Sequence, residues 1–194
     1  FAASTIVTID GVKIGILGYT TQASEVGASL SDSIDVVNCD WSSTDSSKIH
    51  LADQVKDLRT NQGCDIVILL AHIGHSSLVD PAAPLLVDDG STKLPEVAVT
   101  GHWHTWTDTV WQPAILNYKT IFTESCSYMK YLGELTIDNT GKYVGSVQHV
   151  IRDADITPDA DVQALIDGFK ASYDASHSVH ADDVVGYTAS DLLL

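Results

Sequence analysis

Asp65-Ile66-Val67-Ile68-Leu69-Leu70-Ala71-His72-Ile73-Gly74-His75 is an apolar run that ends in two histidines. Glu96-Val97-Ala98-Val99-Thr100-Gly101-His102-Trp103-His104-Thr105 repeats the arrangement. Both runs are apolar at nearly every position, which predicts strands covered on both faces, as in a parallel sheet. Each histidine cluster then falls at a strand's carboxyl end, the edge where open α/β sheets bind ligands. Imidazole is a frequent ligand of borderline transition metals. The two runs thus predict an α/β fold and a metal site at one sheet edge.

The flanking sequence extends this pattern. Thr5–Ile9 and Val12–Leu17 surround Asp10-Gly11, a strong hairpin signal. Thr20–Asp35 reads as a long surface loop. Ser46/Ser47 are expected to cap a helix running to about Thr60, with Ile49, Ala52, Val55 and Leu58 inward and Asn61-Gln62-Gly63 as its stop. A short helix is expected over Pro81–Val87. Strand–helix–strand alternation predicts parallel pairing. Beyond Thr105 the pattern is β only, over Thr109–Trp111, Ala114–Asn117, Thr120–Glu124, Tyr131–Ile137 and Val144–Arg152. A second sheet packed on the first is expected from these. Thr157-Pro158-Asp159 predicts a helix start with threonine as cap and proline first. Val162, Leu165, Ile166, Phe169 and Tyr173 then repeat at helical spacing to about Ser176. Val184–Ala189 resumes as a strand with no partner in view, which predicts that the polypeptide continues.

Gly101-His102-Trp103-His104 is the most specific element. The strand has just ended, so both rings can turn toward one edge, and H-x-H can place two imidazoles on one metal or on neighbouring metals. One of His72 and His75 is expected to be a ligand. The other, His75 by preference, would bond a neighbouring group or a substrate oxygen. Read singly, any of these is as readily a packed or surface histidine; two adjacent strands ending in H-x-G-H and G-H-x-H favour the site. His50, His149, His177 and His180 read as solvated, and Asp80, Asp88 and Asp89 as a solvated loop. The Trp103/Trp106/Trp111 group reads as cover for a core edge. Glu124, Ser125 and Ser127 follow an apolar strand and can line the same crevice.

Composition narrows the partners. The 194 residues suffice for one core, and the 44% apolar and 19% charged fractions are those of a globular protein. A net charge of −16 argues against a nucleic-acid duplex and against an anionic membrane surface. It would also repel a phosphorylated substrate unless bound cations invert the local field. No apolar run approaches the length of a membrane span. Cys39, Cys64 and Cys126 lie far apart without a C-x-x-C pair, so one disulfide with a free thiol and three thiols both stay open. The low Lys and Arg count, ten in all, with many Ser, Thr and Asp, points to a secreted protein.

With Ala71-His72-Ile73-Gly74, Thr100-Gly101-His102-Trp103-His104-Thr105 and Tyr131-Leu132-Gly133-Glu134-Leu135, the chain resembles the second half of a calcineurin-like metallophosphoesterase, in the 5′-nucleotidase branch. Val12–Thr21 is similar to the strand before that half, and Val185-Gly186-Tyr187-Thr188 to the entry into the branch's C-terminal domain. The resemblance implies half of a four-layer αββα sandwich, a parallel unit followed by antiparallel strands. It implies 1–155 as the C-terminal half of the phosphoesterase domain, 156–183 as a linker helix and 184–194 as the start of a further domain. It further implies His72 and His102 on one divalent ion and His104 on a second, with His75, Gly101 and Glu124 behind them or at the substrate. Zinc is the first choice for both ions, manganese or iron the others. Such cations would also offset the repulsion of phosphate.

The Asp-x-His, Gly-Asp-x-x-Asp and Gly-Asn-His-[Glu/Asp] motifs of the family's first half are absent. No catalytic residue is therefore expected in this chain, and the remaining ligands are expected from an associated N-terminal fragment. The expected reaction is hydrolysis of a phosphate monoester such as a nucleotide. A secreted, non-catalytic binding or structural module on the same scaffold is the alternative, and another dinuclear hydrolase a third.

Overall fold

The computed structural model describes residues 4–21, 39–42, 44–105, 110–152, 156–178, 180 and 183. The chain falls into two compact units, Phe1–Ile151 and Arg152–Leu194. The expected strand at 184–189, most of the loop at 20–35, and Trp106 lie outside the described residues.

In the first unit, β1 (Ser4–Ile9) and β2 (Val12–Thr20) form the expected antiparallel hairpin. Two short strands, β3 (Cys39–Asp40) and β4 (Ile49–His50), pair in parallel and lead into helix α1 (Leu51–Thr60). Then come β5 (Ile66–His72), the one-turn helix α2 (His75–Leu78), β6 (Val97–Thr100) and β7 (Ile121–Thr123). The main sheet has the order β1-β2-β5-β6-β7, with every pair after the first parallel.

One face of this sheet is a continuous core. Leu17, Leu69 and Ala98 stand side by side in register with Phe122, and all are buried. Leu51, Ala52, Val55 and Leu58 of α1 are buried in the same cluster, together with Trp41, Leu78, Leu86 and Leu116. The indole N–H of Trp41 donates to Asp89 at 3.2 Å, which satisfies its polar edge inside the core. The other face differs from the expectation of two-sided cover. Ile66, Val97 and Ile121 are buried at its foot, but higher up Leu70 is 46% and Val99 38% exposed. The apolar run was a correct signal for a strand, but its second cover does not come from the described residues.

Three local expectations are corrected. Ser47 is occupied by an Asx turn, its N–H and hydroxyl both donating to Asp45, so α1 starts later, with His50 at its N-cap. Residues 81–87 form turns rather than a helix. Pro84 has no N–H to give, and Leu85 and Leu86 both donate back to the Leu78 carbonyl. Ala114–Leu116 is a 3-10 turn ending in left-handed Asn117 and Tyr118, which breaks the expected strand and drives Leu116 into the core. Trp111 retains a single bridge to Phe122.

The antiparallel strands β8 (Tyr131–Ile137) and β9 (Tyr143–Val150) do follow the parallel unit. They form a separate two-stranded sheet, on which Leu132, Val144, Val147 and Val150 are exposed. Their turn is held by Asp138, whose carboxyl lies below the usual carboxylate range. The Thr140 hydroxyl is the main cause, helped by the Lys142 and Thr140 amides. Gly141 in that turn has φ +83° and lies so close to Glu96 that a Cβ would be 2.3 Å from its Cγ. Only glycine suits both demands.

All three cysteines are free thiols. Burial pushes the Cys39 and Cys64 thiols up, which keeps them protonated and unreactive. In the second unit α3 (Ala160–Ser176) carries the expected helical repeat, but its cap is Asp159 rather than Thr157. That carboxylate accepts from the Asp161 and Val162 amides, both at 3.0 Å, and so leaves Pro158 outside the helix.

Candidate metal centre

The parallel register brings the two histidine clusters together. Ala71 is paired with Thr100, so His72 at the end of β5 lies beside the Gly101 turn that leaves β6. His102 Nδ1 is 3.1 Å from His72 Nε2, with the rings edge to face at 76°. Both imidazoles are exposed at the carboxyl end of the sheet.

These two nitrogens suit a shared cation. Metal–nitrogen bonds of about 2.05 Å at a tetrahedral angle separate neighbouring ligand atoms by roughly 3.3 Å. The observed 3.1 Å is close to that, and the pair also makes one N–H···N bond in whichever tautomer allows it. His104 does not join them. Its ring meets Tyr128 edge-on at 5.1 Å. Among the described residues no group of three His, Cys, Asp or Glu side chains converges to hold an ion. The described residues therefore offer two convergent donors, with His104 on the same turn as His102 but directed to Tyr128.

His102 (φ +73°) and His104 (φ +56°) both have left-handed backbones. For an L-residue this costs about 1–2 kcal/mol, and such strain gathers where function holds it in place. Gly101, by contrast, is not required by space, since a Cβ there would make only an ordinary 3.8 Å contact with His72. The strain sits on the histidines.

Gly74 is needed for space rather than for backbone freedom. Its φ of −63° is open to any residue, but a Cβ would lie 2.4 Å from Cδ2 of Trp103. The indole occupies the space a side chain would need, and this locks the 72–75 turn against the 101–104 turn. Gly74→Ala is expected to push the Trp103 ring aside and cost about 1–3 kcal/mol, measurable by urea unfolding with near-UV circular dichroism.

His75 opens α2 and points inward rather than to the His72–His102 pair. Its ring meets Trp111 at 5.0 Å, Trp111 in turn meets Phe122 at 5.1 Å, and Nδ1 is 3.6 Å from Glu124. Glu124 is 2% exposed. Its carboxylate accepts from the Thr105 amide at 3.0 Å and the Thr100 hydroxyl at 3.1 Å. Ser125 lies against Gly133 of β8.

Sequence reasoning missed the clasp made by the next few residues. The Cys126 amide donates to the Thr105 carbonyl at 3.2 Å, and its thiol to the His104 carbonyl at 3.4 Å. Nothing in the residue types of this segment announces that pairing, though its place just after a buried strand was a usable sign. His50, read as solvated, is half-buried and bonds Asp40 at 2.6 Å. Asp88 and Asp89 structure their loop through Lys119, Asn117, Ser91 and Trp41 and do not reach the histidines. His149 pairs with Glu134, and His177 stacks on Tyr173.

No protein-family model matches the sequence, and no curated protein matches it. Solved structures do match in fold. The sulfate thiohydrolase SoxB of Thermus thermophilus, solved with glycerol, superposes with a TM-score of 0.60 at 20% identity, over 90% of this chain and 30% of its own. A 5′-nucleotidase precursor from the same species gives 0.56 at 17%, over 90% and 35%. The NAD nucleotidase NadN of Haemophilus influenzae gives 0.51 at 18%, over 89% and 37%. This chain spans about a third of the length of these proteins. It is folded like one portion of each of them.

Proposed function

We propose that this chain is part of a metal-dependent hydrolase of phosphate esters, with a nucleotide as the expected class of substrate. The observation that carries the reading is the convergence of His72 and His102 at 3.1 Å on the ligand-binding edge of the sheet. The fold it shares with proteins described as nucleotidases supports the same reading. His72 Nε2 and His102 Nδ1 would hold one divalent ion, zinc for preference, and His104 would serve a second. Bound ions supply charge that neutralises the phosphoryl oxygens and lowers the pKa of a water. That charge also answers the repulsion expected between a chain of net charge −16 and a phosphate.

The chain's own residues hold and orient. The exposed imidazoles leave open sides for further ligands, while Trp103 over Gly74 fixes the distance between the two turns. Those ligands would come from an N-terminal part of the polypeptide seated on the sheet face that carries Leu70 and Val99. A bare apolar face of that kind is a liability until it is covered. No helix among the described residues is long and apolar enough to cross a membrane. Secretion fits the charge balance.

The test is elemental analysis of the purified full-length protein, with hydrolysis of a nucleoside monophosphate measured before and after chelation. Bound divalent metal, and activity that chelation removes and zinc or manganese restores, are expected. Metal-free protein that cleaves no phosphate ester would instead favour a non-catalytic module on this scaffold.

A further inference from the structure

We infer that Glu124 is a positioning residue that holds the second histidine turn in its left-handed form, an inference that rests on the proposed metal site. It follows β7 on the face that buries Phe122, so its carboxylate enters the core side of the sheet. Among the described residues, three pieces of chain meet there. Oε1 accepts from the Thr105 amide at 3.0 Å, at the far end of the His102–His104 turn. Oε2 accepts from the Thr100 hydroxyl at 3.1 Å, where β6 ends and the turn begins. The same oxygen is 3.6 Å from Nδ1 of His75, on the other histidine turn.

A single buried carboxylate therefore ties both ends of the strained turn and borders the neighbouring one. Backbone held at φ +73° and +56° persists only when its surroundings enforce it. The Cys126 amide and thiol, donating to Thr105 and His104, belong to the segment that Glu124 introduces and draw the turn the same way. Among the described residues the hydrogen bonds of Glu124 go to Thr105 and Thr100, not to His72 or His102. It acts through the backbone that presents them.

The chemistry of the contacts sets the order of the variants. Glu124→Gln keeps an oxygen for the Thr105 amide. Its new NH2 can donate to the Thr100 hydroxyl, which can then give its proton to the Thr123 carbonyl, already 3.2 Å away. Glu124→Asp keeps the charge but withdraws the carboxylate by about one C–C bond, or ~1.5 Å, beyond hydrogen-bond range of that amide. Glu124→Ala removes every contact.

The experiment uses the full-length protein and titrates cobalt(II) into the metal-free form, reading affinity and the visible absorption of the bound ion. Hydrogen exchange of the 102–105 amides in the metal-free protein is followed in parallel. Expected are near-native cobalt affinity and spectrum for Glu124→Gln, and affinity about 10–100-fold weaker with a changed spectrum for Glu124→Asp and Glu124→Ala. Exchange at Thr105 should quicken in the last two. If Glu124→Ala does not fold, the order of the other two decides. Aspartate behaving like wild type while glutamine fails would show that charge matters and overturn the inference. So would native cobalt affinity and native exchange in all the variants. Loss of cobalt binding in a His72→Ala control keeps the metal reading standing in either case. If that control binds cobalt normally, the metal reading falls, and the exchange data alone then judge whether Glu124 holds the turn.

Discussion

Replacing His102 with glycine is expected to abolish the metal-dependent hydrolysis proposed above while leaving the fold as stable as before, or more so. The ring supplies one of two nitrogens that converge at 3.1 Å, and glycine supplies none. Lewis-acid stabilisation is worth several kcal/mol in such reactions, and each 1.36 kcal/mol is a factor of ten. A fall in kcat/KM of about 10³-fold or more follows, with metal lost from the purified protein. Stability should move the other way. Position 102 is exposed and has φ +73°, which glycine adopts without the steric cost an L-residue bears. A gain of up to about 1 kcal/mol in urea unfolding is expected, partly offset by glycine's freedom in the unfolded chain. His72→Ala should cost as much activity as His102→Gly, and the double variant little more, because both take a ligand from the same proposed cation. Unchanged metal content and rate in either single variant would remove the assignment.

Glu96→Ala is expected to produce the opposite profile, a large loss of stability far from the chemistry. Glu96 stands at the foot of β6, 5% exposed, and is surrounded by donors. Arg59 reaches both its oxygens at 3.0 and 3.1 Å, Lys93 gives a third contact at 2.7 Å, and the Val67 amide a fourth at 2.7 Å. Truncation leaves the Arg59 guanidinium, itself largely buried, with only carbonyl partners, and leaves a buried amide of the central strand unpaired. Removing one partner of such a pair costs about 3–5 kcal/mol. Against a total of roughly 5–15 kcal/mol for a domain, that is a large fraction. The midpoint of denaturant unfolding should fall accordingly, while protein that remains folded binds metal with native affinity. A stability change below about 1 kcal/mol would mean that the network is solvated and dispensable.

Local reading of the residues reached the elements that obey local rules. Asp10-Gly11 between alternating strands, the continuous runs at 65–71 and 96–100, and the hairpin around 138–141 were all legible because turn chemistry and apolar period are short-range. Placing His72 and the Gly101 turn on one edge was legible too, since parallel pairing puts successive carboxyl ends together. The starts of α1 and α3 were misplaced where several Ser, Thr or Asp residues competed for the cap, and the structure decided among them by side-chain geometry. Pro84 and left-handed Asn117 overrode patterns that looked helical or extended.

What the chain specified by itself, then, is the parallel α/β unit and the histidine-bearing edge, because hydrophobic period and strand direction are written residue by residue. What only the tertiary structure decided is how those histidines are held. The Trp103 ring fills the space above Gly74, Glu124 reaches across 19 residues of sequence to the Thr105 amide, and His104 turns to Tyr128 rather than to its neighbours. Those contacts join segments distant in sequence through shape and hydrogen-bond geometry, and none leaves a periodic trace in the residues that make it.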